Sequence, residues 1–276
     1  MKRVQLFLSV NAGKWLIAEA ISRRPDVRAA MQNGALVLKA GTTTSCLCAL
    51  LTGQHLRICG RITPRGAVAN LAESQAPHTV LLTGQGIQSL DGNEREAMLR
   101  LGPDSVLVTG ANLIDHDGRA ALLAGSPGGG SYGAALSAVF AEGIQVLIAA
   151  GTEKLTLGNV PTAIAQARRK GVAASQGMAC GLLPLVGQVI TELDAICMLA
   201  PVEAILIGKG GISGAEGGSL IQVWGNDADV DFIWELARCC SERPLGGTVE
   251  SLSECRQGAP GCREHLSCVH RSKRAP

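Results

Sequence analysis

Three short runs constrain this chain most. VLVTGAN (106–112), VLIAAG (146–151) and AILIGKGG (204–211) are rich in β-branched residues, uncharged over their first five positions, and run into glycine. Continuous apolar runs suit strands buried on both faces of a helix-covered parallel sheet, whereas the strands of a β-sandwich alternate apolar and polar residues. Three Trp, three Phe and one Tyr stand against 35 Gly. Small side chains let helices lie close on a sheet and let backbone approach a ligand. With 276 residues, 46% hydrophobic and 17% charged, the chain has apolar surface for one large or two small globular domains, which excludes a disordered or fibrous reading.

The formal net charge of +2 gives no global field toward nucleic acid or an anionic membrane, so the expected partner is small. No segment reaches the roughly 18 consecutive apolar residues of a membrane span. The opening MKRVQLFLSVNA is interrupted at Gln5 and Ser9 and passes into a helical pattern, unlike a signal peptide. Ten cysteines are scattered, and Cys46, Cys48, Cys59, Cys180 and Cys197 fall in expected core elements. Reduced thiols and a cytoplasmic location follow.

Along the chain, Ser9 or Asn11 caps a first helix through Lys14, Leu16, Ile17, Ala20 and Ile21, stopped near Pro25. A second helix runs from Asp26 to about Gln32, and Asn33-Gly34 turns into strand ALVLKA. Helix SCLCALLTG follows a Gly-Thr loop. TVLLTG, SVLVTG and IQVLIAAG then alternate with the helical stretches NEREAMLRLG and AALSAVFAEG. This βαβα rhythm predicts an α/β fold, a Rossmann-like mostly parallel sheet with helices on both faces, over residues 1–172. Asp117-Gly118 marks a hairpin inserted before the loop SPGGGS. Residues 173–243 read strand, helix, strand, strand, helix, a smaller ferredoxin-like α+β lobe whose last helix carries Val230, Ile233, Trp234 and Ala237 on one stripe. Residues 244–276 lose periodicity and read as a mobile, Cys-containing tail.

The first candidate site is Gly41-Thr42-Thr43-Thr44-Ser45. A strand ending in glycine leaves the next helix's first N–H groups facing outward, and the hydroxyls add short-reach donors to an oxyanion. A Thr/Ser helix cap without ligand gives the same pattern. Gly128-Gly129-Gly130-Ser131 forms a second cradle, permitting close backbone approach before a helix. Neither is a Walker or dinucleotide motif. Asp115, near Asp117 and the turn, is an acid/base candidate, with Gly110 and Asn112 lining the same strand end. Glu153-Lys154, two further catalytic candidates, ends IQVLIAAGT, at the strand end where open α/β sheets bind ligands, and Lys14 is a second possible cation. Lys209 and Glu216 sit in a Gly-rich turn dense enough to close over a ligand. Cys255, Cys262, Cys268 and His270, spaced C-x6-C-x5-C-x-H, offer four soft or borderline ligands for zinc or an iron–sulfur cluster, although the gaps match no common ribbon.

With those residues assembled, the chain resembles the superfamily joining ribose-5-phosphate isomerase, the sugar-phosphate-sensing domains of DeoR-type repressors, 5-formyltetrahydrofolate cyclo-ligase and the CoA transferases. Strand-GTTTS-helix is similar to the substrate-phosphate loop of the isomerases and repressors. TGANLID (109–115) resembles their GAD-x-ID stretch, and Thr152-Glu153-Lys154 their Ser-Lys strand ending, in matching order over residues 12–157. The resemblance implies a phosphate on Thr42 to Ser45, with Asp115 and Lys154 near the sugar or acyl portion. Thr109 and Leu113 stand where the isomerases have acids, and Ser126-Pro127 where they have a lysine. The expected function is an enzyme of isomerase or transferase class acting on a sugar phosphate or CoA ester, as a homo-oligomer. The alternative is a non-catalytic sensor or redox-complex subunit using the same cradle.

Overall fold

The computed structural model describes residues 1–69, 74–255, 262 and 265–270. β1 (Lys2–Leu8) opens the chain. It was expected only as a lead-in to a helix. Leu6 and Leu8 face the core while Arg3, Gln5 and Phe7 face out, so the polar interruptions at Gln5 and Ser9 belong to a strand of period two and its exit. Ser9 Oγ then accepts from Ala12 N at 3.1 Å and starts α1 (Val10–Arg23). Pro25 begins α2 (Pro25–Asn33), and β2 (Ala35–Lys39) runs into α3 (Thr42–Thr52).

A hairpin, β3 (Gly60–Thr63) and β4 (Gly66–Ala69), follows and had no counterpart in the sequence reading. β5 (Thr79–Thr83), β6 (Gly86–Ser89), α4 (Glu94–Met98) and β7 (Ser105–Thr109) come next. The Asp117-Gly118 hairpin forms as expected, from β8 (Leu113–Ile114) and β9 (Ala120–Ala124). α5 (Gly130–Ala141), β10 (Gln145–Ala149) and α6 (Val160–Gln166) complete this stretch. The remainder is β11 (Gly181–Leu185), β12 (Gln188–Ile190), α7 (Glu192–Leu199), β13 (Glu203–Gly210), β14 (Gly218–Gly225), α8 (Asp227–Ser241) and α9 (Val249–Leu252).

The fold is mixed α/β. Its six-stranded sheet has the order β12-β10-β7-β2-β5-β6, in which β12, β10, β7 and β2 are parallel while β5 and β6 are antiparallel. Side chains alternate across it. Leu36, Leu38, Val106, Val108, Leu147 and Ala149 meet α1, α3 and α7 on one face, and Val37, Leu107, Val146 and Ile148 meet α4 and α5 on the other.

The expected contiguous lobe at 173–243 is redistributed. β12 joins the six-stranded sheet and β11 pairs with β9. Only β13 and β14 make the small sheet, and its third strand is β1, in the order β1-β14-β13, antiparallel throughout. On α8, Val230, Ile233, Ala237 and Cys240 are buried, but Trp234 is 42% exposed and lies off the stripe. The tail also docks for part of its length: Trp15 Nε1 donates to Pro244 O at 2.7 Å, the Arg243 guanidinium lies over the Trp15 ring at 4.9 Å, and Thr248 N donates to Leu56 O. Residues 70–73, 256–261, 263–264 and 271–276 lie outside the described ones, including part of that tail. Among the described residues no helix is long and apolar enough to cross a membrane.

Gly66 has a φ of +88°, and a Cβ there would lie 1.8 Å from Gln176 O. Gly66→Ala therefore combines left-handed strain with a backbone clash, and chemical denaturation is expected to show a loss of at least about 1–3 kcal/mol. A change inside 0.5 kcal/mol would mean that the hairpin is not held against residues 176–178.

Candidate functional site

The carboxyl ends of the parallel strands are where charge collects. Past β10 the chain makes one 3₁₀ turn, Thr152–Lys154, and α7 begins with Glu192 beside it. The Glu192 carboxylate is 3% exposed and held by three donors. Thr152 N reaches it at 2.8 Å, Ser219 Oγ at 2.8 Å, and the Thr152 hydroxyl closer still. Lys209, from β13, donates to those same hydroxyls, at 2.8 Å to Thr152 and 3.0 Å to Ser219, and to Gly217 O at 3.1 Å. Each hydroxyl thus accepts from an ammonium and donates to a carboxylate, a relay in which bonds to charged groups are the strong kind. Position N1 of α7 favours the negative charge. The helix itself starts cleanly because Thr191 and Asp194 form a reciprocal capping box.

Beside this relay lies a second charged group. The Glu153 and Glu192 carboxylates both crowd the α-carbon of Gly151: a Cβ there would sit 2.2 Å from Glu153 Oε2 and 3.1 Å from Glu192 Oε2. Lys154 Nζ is 3.6 Å from Glu153 Oε1. Lys14, from α1, faces the same place. Burial lowers its pKa, Glu153 opposes the shift, and Lys154 adds to it by repulsion. The nearby Cys46 thiol is pushed up to about 12 by burial and stays neutral. Three lysines therefore share two carboxylates, and Lys14 makes no hydrogen bond or ion pair among the described residues.

The Gly41–Ser45 cradle is only partly open. Thr44 Oγ1 donates to Lys39 O at 2.7 Å and Gly41 O at 3.0 Å, while Ser45 Oγ accepts from Leu56 N at 3.0 Å and contacts His55. Those two hydroxyls, fully buried, are spent on tertiary structure, and Thr43 is buried as well. The first-turn N–H groups of Thr42, Thr43 and Thr44 have no acceptor among the described residues, and Gly246 packs against Thr42 O from the side.

The second cradle lies on the opposite face of the same strand ends. Gly128, Gly129 and Gly130 all have positive φ, and Gly129 leaves no room for a side chain beside Leu183, so turn geometry accounts for the run. Ser131 Oγ donates to Glu94 Oε1 at 3.0 Å. Next to them sequence reasoning missed Lys39, whose ammonium lies 4.7 Å from the Tyr132 ring centroid. Burial pushes this amine down to about 8, against the pull of Cys59 and Glu94. Tyr132 Oη is enclosed, and its phenol is pushed up to about 12 by burial, with the nearby Thr109 hydroxyl pulling the other way. The signal was present: a lone lysine closing the apolar strand ALVL.

Asp115 does not reach either group. Its buried carboxylate accepts from Asp117 N, Arg119 N and Val160 N at 3.0–3.1 Å and pairs with Arg119 Nε at 3.2 Å. Burial raises its pKa, and these donors more than offset that, leaving it below the usual carboxylate range. It closes the hairpin turn and accepts from the first N–H of α6, whose N-cap is Asn159. Asn112 likewise accepts from Leu123 N within the hairpin, and Gly110 O accepts from the Thr109 hydroxyl. Glu216 accepts from Gly214 N and shapes its own turn, so of that pair only Lys209 joins the site. Glu192, Thr152 and Ser219 assemble from three separate elements, and only Thr152 adjoined a motif read from sequence.

Compared with protein-family models, with curated proteins and with solved structures, the chain matches none.

Two outcomes follow. Glu192→Ala strands three buried donors and is expected to cost about 3 kcal/mol in denaturant unfolding, whereas Lys209→Met, whose head is partly solvated, is expected to cost under about 1 kcal/mol; equal costs would contradict the relay. For Lys39 the folded pKa lies below the unfolded one, so the folded chain releases this proton first and stability from this group rises with pH between about 8 and 10.5. Unfolding midpoints measured across that window should lose this rise in Lys39→Met; an unchanged slope would refute the assignment.

Proposed function

We propose that this protein is an enzyme of isomerase or transferase class that binds a phosphorylated or CoA-linked small metabolite at the carboxyl ends of β2, β7 and β10. The observation that carries the proposal is Lys14: a partly buried amine with no hydrogen bond or ion pair among the described residues, within electrostatic reach of Glu153, Lys154 and Cys46 in the first turns of α3, the helix whose first amides are open. Partial burial disfavours the charged amine, Glu153 offsets this only in part, and a bound anion would offset more of it. In this reading the anionic group sits between Lys14, Lys154 and the N–H groups of Thr42 to Thr44. Glu153 takes over the proton-transfer role first sought in Asp115, since it is near both lysines and 16% exposed.

The same reading treats the parallel half of the sheet with α1, α3 and α5 as Rossmann-like and the small sheet as a lobe beside the ligand, in keeping with the resemblance to the isomerase and CoA-transferase superfamily. One observation favours the alternative of a non-catalytic sensor: Asp115, the acid that the resemblance put near the substrate, is consumed by backbone donors.

Thermal shift with inorganic phosphate, ribose 5-phosphate and acetyl-CoA tests the site. At least one is expected to stabilise the wild type, with affinity falling roughly ten- to a hundredfold in Lys14→Met, the range for losing one hydrogen bond to a charged group. Absence of any response, or equal affinity in Lys14→Met, would overturn the proposal. Turnover of the stabilising ligand lost in Glu153→Gln with binding retained marks the enzyme; binding without turnover marks the sensor.

A further inference from the structure

Away from the residues of that site, five sulfur and imidazole side chains from the last part of the chain line one small cavity. Cys255, Cys262, His265, Cys268 and His270 line it, closed on the other side by Arg65, Ala67 and Val68 of the β3–β4 hairpin and by Gly177. Its volume is about 10 Å³, the room of a single water-sized body, whereas an empty cavity of this size gains nothing from so many soft donors. His270 Nε2 is buried without a hydrogen-bond partner among the described residues. The backbone around the cavity is fixed by several bonds: Arg65 Nη1 donates to Cys255 O at 2.8 Å, Ser175 N to Ser267 O, Val269 N to Ser175 O, and Ala179 N to Leu266 O.

We propose that Cys255, Cys262, Cys268 and His270 bind one zinc ion, which clamps the end of the chain onto the β3–β4 hairpin. As they stand, no three of these donors among the described residues are arranged around a common ion. Three cysteines and two histidines are among the nine residues that line the cavity, and a zinc ion would have to draw the Cys255, Cys262, Cys268 and His270 side chains together, at Zn–S distances of about 2.3 Å, to complete a tetrahedron. Binding displaces the three thiol protons to solvent, giving a site of net charge −1 that the adjacent Arg65 guanidinium balances. With four protein ligands the site is closed, which makes it structural. His265 walls the cavity and is not a ligand.

The test is titration of the reduced full-length chain with Co²⁺ and Zn²⁺. One equivalent is expected, with the intense visible and near-ultraviolet bands of tetrahedral cobalt thiolate, displaced by zinc. The bands should be lost in Cys262→Ser and Cys268→Ser, shifted in His270→Ala, and kept in His265→Ala and in Cys197→Ser, a control on α7. Absence of uptake by the wild type, a spectrum unchanged in Cys262→Ser and Cys268→Ser, or disulfides among these cysteines in the protein as isolated would each overturn the proposal. The wild-type titration needs no variant and decides the matter if the variants fail to fold.

Discussion

A single buried carboxylate joins the six-stranded sheet to the small sheet β1-β14-β13. Glu192 stands at the first turn of α7, which follows the edge strand of the six-stranded sheet, and takes its donors from the end of β10 and from β14 in the small sheet. Lys209 of β13 completes the arrangement through the same hydroxyls. A carboxylate cannot remain charged in an apolar interior without donors, so the position of the small sheet is fixed by the need to supply them. Packing of α1 against α3, α7 and α8 supplies the apolar part of the same junction, with Leu16, Ile17, Ala18 and Ile21 fully enclosed.

That junction also creates the charge imbalance around Lys14. With Glu192 engaged by hydroxyls and Lys209, the remaining carboxylate, Glu153, faces two lysines. On the other face of the same strand ends Lys39 lies over Tyr132, again without a bonded partner among the described residues. The sheet therefore presents amines on both sides of one rim, while Asp115, read from sequence as an acid/base candidate, and Glu216, read as a ligand contact, accept backbone bonds in turns.

Much of the fold was legible. ALVLK, SVLVT and QVLIA became the parallel strands because their continuous apolar runs meet helices on both faces, and Asp117-Gly118 made its hairpin because Gly118 can adopt positive φ. β1 was not legible: its alternation Val4, Leu6, Leu8 passes without a turn signal into the period of α1, so the two patterns merge. Trp234 was misplaced because helical spacing marks a stripe but not its edge. In the site, Lys154 and Lys209 were recognisable as cations at a strand end and in a glycine-rich turn, and Lys14 as a cation of the first helix, but the engagement of Ser45 depended on His55 and Leu56, which sequence spacing does not connect.

What the sequence determined by itself was local: the apolar strands of the main sheet and the helices between them, where glycine and proline turn the chain, and that the interior is built from small aliphatic side chains. Tertiary structure alone decided that residues 2–8 pair with residues 219–225, that β12 leaves the expected second lobe for the main sheet, and that Glu192 meets Thr152 and Ser219. The physical reason is that hydrogen-bond partners in a sheet, and donors around a buried carboxylate, are chosen by which surfaces must be covered together. That choice depends on the whole chain's apolar area and not on any window of it.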